Sequence, residues 1–66
     1  MYNLSERARV ILNRLEDGEA AVQDELRHTT HLHSLKTALY SEAIRRGRRV
    51  SVRQDGLYGF TASLRP

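Results

Sequence analysis

Apolar residues in the stretch NLSERARVILNRLEDG recur at Leu4, Ala8, Ile11, Leu12 and Leu15, the spacing of one face of an α-helix. A first helix over about residues 4–17 is therefore predicted. Asn3 is placed to cap it, Glu6 to reach back as the other half of a capping box, and Gly18 to end it in the left-handed conformation. The next stretch, EAAVQDELR, sets Val22 and Leu26 four residues apart with Glu19 and Asp24 in its first half. That spacing predicts a short second helix over about 19–27. Thr29 or Thr30 can cap a third helix over about 31–46, whose apolar side carries Leu32, Leu35, Leu39 and Ala43, with Ala38 and Ile44 near its edge and Gly47 as its stop.

Beyond Gly47 the period falls to two. Val50 and Val52 share one face, Tyr58, Phe60 and Ala62 share a parity, and Gln54-Asp55-Gly56 intervenes, which predicts a β-hairpin over about 48–62. A two-residue Asp-Gly turn would turn Tyr58 and Phe60 to the arginine face. A three-residue loop, Gln54 to Gly56, instead sets Val52 opposite Tyr58 and Val50 opposite Phe60, and burial favours it. Leu64 to Pro66 read as a tail. The fold class expected is mainly α, three helices followed by a C-terminal hairpin, in a single domain over residues 1–66.

Composition adds limits. At 66 residues with no cysteine, the chain has one small core and no disulfide or thiolate metal site to reinforce it. Its longest aliphatic run, Val10-Ile11-Leu12, is far short of a membrane span, and its amino terminus lacks the order of a signal peptide. The expectation is an intracellular, cytoplasmic protein without a membrane contact.

Charge is where the chain departs most from an average domain. Residues 1–26 hold three arginines against six carboxylates, and residues 27–66 hold eight cations against two. Five arginines, Arg45, Arg46, Arg48, Arg49 and Arg53, crowd the segment RRGRRVSVRQDGLYGFTA. Such polarity points to an anionic partner on one side, with nucleic acid the first candidate.

The order of elements resembles the winged helix-turn-helix DNA-binding domain. VQDELRHTTHLHSLKTALYSEAIRRG carries the likeness to the two-helix unit and RRVSVRQDGLYGFTA the likeness to the wing. The resemblance implies that the third helix enters the major groove of double-stranded DNA, offering His33, Ser34, Lys36, Thr37, Tyr40 and Ser41, while Arg45, Arg46, Arg48, Arg49 and Arg53 hold flanking backbone. The function expected is a small transcription regulator, a repressor of phage or mobile-element type, nucleoid-associated and acting as a homodimer through the first helix or the tail. The alternative is an interaction module that turns the same basic face on an acidic protein partner.

Other chemistry has little to stand on. His28, His31 and His33 form an H-x-x-H-x-H cluster, but no cysteine joins it and the spacing throws helical His31 and His33 to different sides, so no metal or other cofactor is expected. The chain has no cysteine nucleophile and no glycine-rich phosphate loop. Catalytic residues are not assigned and no enzyme is expected.

Overall fold

The computed structural model describes residues 3–26 and 29–66, and of Thr29 and Thr30 the backbone alone. The element order is α1 (Leu4–Glu16), β1 (Val22–Glu25), α2 (Thr29–Arg45), β2 (Arg49–Asp55) and β3 (Gly59–Arg65). The strands form one antiparallel sheet in the order β1-β3-β2. Both helices lie on one face of it, and Leu12, Leu35, Leu39, Val22 and Phe60 sit fully buried between the layers.

This corrects the expected fold class. Among the described residues there are two helices rather than three, and a three-stranded sheet rather than a lone hairpin. The segment read as a second helix is the strand β1. Val22 and Leu26 are four apart, a spacing that fits one face of a helix and one face of a strand equally. Tertiary pairing decides the matter: Val22 lies opposite Ala62, Asp24 opposite Phe60, and the Leu26 amide donates to the Tyr58 carbonyl at 2.9 Å. Without β1, the outer backbone groups of β3 would be an unpaired edge. Asp24 shares the inward parity of Val22 and Leu26, and it is met there by an ion pair from Arg7 of α1.

Both helices end by one device. Gly18 (φ 114°) and Gly47 (φ 68°) take left-handed backbone, which costs a residue without a Cβ little. After α1 the Glu19 amide returns to the Arg14 carbonyl and the Gly18 amide to Leu15; after α2 the Arg48 amide returns to Ala43 at 2.8 Å and the Gly47 amide to Ile44. These paired bonds are the Schellman arrangement, and they turn the chain sharply out of each helix. At the start of α1 the Asn3 side chain accepts from the Glu6 amide, as expected, while Glu6 itself pairs with Arg9. Thr29 and Thr30 fall inside α2 rather than before it.

The hairpin keeps its expected faces and changes its register by four residues. Val52 pairs with Ala62 and Val50 with Leu64, so the loop is Gly56 to Tyr58, not Gln54 to Gly56. A shift of four preserves the period-two alternation, so Val50 and Phe60 remain core. The longer register also brings Leu64 under cover against the core, and it gives β1 a strand to pair with. Tyr58, expected in the core, is 43% exposed at the tip, and Leu64 and Arg65 of the expected tail form the end of β3. Gly59 makes the turn possible, because a Cβ there would lie 2.5 Å from the Asp55 carbonyl oxygen.

Candidate nucleic-acid interface

Most charged side chains are matched within the fold. Arg14 binds Glu19 through two nitrogens, at 2.7 and 2.8 Å, and that hydrogen bond holds the Glu19 carboxyl below its ordinary pKa and the guanidinium above its own. Arg46 bridges the two helices: it donates to Glu16 at 2.7 Å, to Asn13 at 2.9 Å and to Glu42 at 3.0 Å. The bond to Glu16, then that to Glu42, raises its pKa, while Glu42 is lowered, first of all by the bond it accepts from Arg46. Arg46 therefore serves the packing of α1 against α2 and leaves the set of surface cations expected from the sequence. Arg45 is exposed but lies 3.4 Å from Glu42. Arg53 projects far into solvent with Asp55 at 3.6 Å.

Four cations differ. Among the described residues, Lys36, Arg48, Arg49 and Arg65 have no carboxylate within ion-pair distance and no side-chain hydrogen bond. Three of them converge. Arg48, Arg49 and Arg65 join Tyr40, Ala43, Ile44 and Val50 around an open cleft of about 310 Å³ between the second half of α2 and the open end of the hairpin. The Schellman turn at Gly47 delivers Arg48 to that rim, and β-pairing delivers the other two, because Arg49 and Arg65 are opposite residues of β2 and β3. Like charges directly opposite on neighbouring strands oppose folding. The floor is mixed in character, since Tyr40 is 41% exposed and Ile44 76%.

The remaining residues expected at the site divide between the flanks of α2. His33 and Lys36, with Leu32 and Gln54, line a shallow depression where the helix meets the hairpin. Ser41 and Arg45 line another on the side of α1, with Ser5, Arg9 and Glu42. Ser34 and Thr37 are exposed, and the Thr37 hydroxyl donates to the His33 carbonyl at 3.2 Å. Helical spacing sets His33, Lys36 and Tyr40 on the flank of α2 toward the hairpin, Ser34 and Ser41, seven residues apart, together on the flank toward α1, and Thr37 between the two groups.

Arg65 and Ile44 were not expected at the site. Arg65 was legible in principle, because the alternation of Phe60 and Ala62 continues through Leu64 and makes Arg65 the residue facing Arg49. Ile44 lies about 100° round the helix from Ala43, which sets it on the outer surface of α2 between Thr37 and Tyr40, away from the stripe of Leu35, Leu39 and Ala43.

His28 lies outside the described residues. Among those described, no three His, Cys, Asp or Glu side chains are grouped to hold a metal ion, and no helix is long and apolar enough to cross a membrane. Comparison of the chain with protein-family models, with curated proteins and with solved structures found no match.

Proposed function

We propose that this chain is a small DNA-binding protein that lays the outer surface of α2 and the open end of its hairpin on a duplex. The observation that carries the reading is the separation of matched from unmatched charge. The arginines of α1 and Arg46 each have a carboxylate within the fold, while Arg48, Arg49 and Arg65 share a rim that has none. A cluster of this kind raises the energy of the free protein, and that cost is relieved when the arginines neutralise DNA phosphates and release the counterions condensed on them.

In this reading Ser34, Lys36 and Thr37 approach the groove, and Arg48, Arg49 and Arg65 take backbone phosphates on its flank. What remains of the winged helix-turn-helix resemblance is a helix beside a basic ribbon; the two-helix unit is not part of the proposal. The role we assign is transcription regulation of the repressor kind, since occluding a site on DNA requires nothing beyond binding to it. Two copies would double a contact area that is small for one module.

Titration with random-sequence duplex at several salt concentrations tests this. Three or four neutralised phosphates give an expected slope of roughly −3 to −4 in log affinity against log salt. The exposed Ile44 beside Tyr40 and three arginines supports a second reading, an acidic protein partner, because aromatic, aliphatic and arginine side chains together suit the centre of a protein interface. Absence of duplex binding at low ionic strength favours that partner over DNA.

A further inference from the structure

The rim of the cleft contains an arrangement that general attraction for a polyanion does not require. Arg49 and Arg65 are Cα partners in the β2-β3 ladder, so their side chains leave the same sheet face side by side, about 5 Å apart at Cβ. Neither has a carboxylate partner among the described residues, and the acids closest in sequence are engaged elsewhere. Glu42 holds Arg45 and Arg46 on the far flank of α2. Asp55 lies at the opposite end of the hairpin, accepting from the Thr61 hydroxyl. Two guanidinium groups carried side by side by a ladder can both donate N–H bonds to one tetrahedral oxyanion.

Ile44 narrows the ligand further. It is 76% exposed and lines the same cleft as the arginines. A bare inorganic anion would leave it in water, whereas a phosphate joined to a deoxyribose would set the sugar carbons against it. Burying that apolar surface favours the joined ligand over the bare one.

We propose that Arg49 and Arg65, with Arg48 and Tyr40 at the rim, seat one phosphate group of a DNA backbone while Ile44 packs against its deoxyribose. This rests on the DNA-binding reading for the source of the phosphate, and its test separates the two. Thermal unfolding of the full chain is measured in sodium phosphate and in sodium chloride of equal ionic strength. Phosphate is expected to raise the melting temperature of the wild-type chain. Arg49→Gln is expected to abolish that rise and, by relieving repulsion from Arg65, to melt about 1 to 5 °C higher than wild type in chloride. In a parallel duplex titration, Ile44→Ser is expected to weaken binding roughly 3- to 10-fold while keeping the full response to inorganic phosphate. A wild-type chain indifferent to phosphate, or an Arg49→Gln chain that melts lower in chloride, overturns the seat. An Ile44→Ser chain with unchanged duplex affinity overturns the sugar contact. A phosphate response without any duplex binding upholds the seat and removes DNA as its source.

Discussion

On one side of Gly47, Arg46 is bound to Glu16, Asn13 and Glu42 and ties the ends of the two helices together. On the other side, Arg49 stands opposite Arg65, and among the described residues no acid lies within ion-pair distance of either. The two arginines are three positions apart in one basic run, yet one is spent on the fold and the other is left available by it. What separates them is the turn at Gly47. It ends the helix after Arg45 and starts a strand at Arg49, so neighbouring cations are projected onto different layers of the molecule. Charge density along a sequence therefore overstates the binding surface, and the sheet corrects it by adding Arg65 from sixteen residues beyond Arg49.

The platform beneath both regions is the place to break the comparison hardest. Phe60 packs centrally among the residues between helices and sheet, and Phe60→Ala is expected to cost about 3 to 5 kcal/mol, enough to unfold much of a domain this small. Denaturant titration measures it, and a loss below about 1 kcal/mol would place the core elsewhere. Next in size, replacing Arg48, Arg49 and Arg65 together by Gln should lower duplex affinity by at least about 100-fold at low salt with the fold retained. Gly47→Ala is expected to cost about 1 to 2 kcal/mol, because the left-handed backbone there resists a Cβ. Its thermal melt should move well beyond that of an exposed substitution such as Ser34→Ala.

The smallest effect isolates the helix junction. Glu42 and Glu19 have folded-state pKa values below their ordinary ones. Their contribution to stability is then fully present above the ordinary glutamate range and is lost as pH falls through the depressed folded values. Acid titration of stability should show this decline, and Glu42→Gln should remove part of it. An unchanged acid profile in Glu42→Gln would mean that the contact with Arg46 contributes nothing.

How far the sequence discloses this arrangement depends on how many periods a segment fits. The α1 spacing of Leu4, Ala8, Ile11, Leu12 and Leu15 fits a helix and no strand, and the helix is there. Val22 and Leu26 fit both, and the strand forms because β3, some forty residues away, has an edge to fill. Such a partner is invisible to a local window. In the hairpin the alternation of Val50, Val52, Phe60 and Ala62 determines the faces, but four-residue shifts leave it unchanged, so the register waits on Leu64 and β1. The same blind spot hid Arg65. Where each arginine would find a carboxylate was equally out of reach, since Arg46 meets Glu16 across thirty residues of chain.

Salt dependence of duplex binding, measured for single variants at Arg46, Arg48, Arg49 and Arg65, tests the division of the arginine run most directly. Each change to Gln at Arg48, Arg49 or Arg65 is expected to flatten the log-log slope by about one unit, and the change at Arg46 to lower stability while leaving the slope at its wild-type value. Equal flattening by all four, or none by the three at the cleft, would contradict the account.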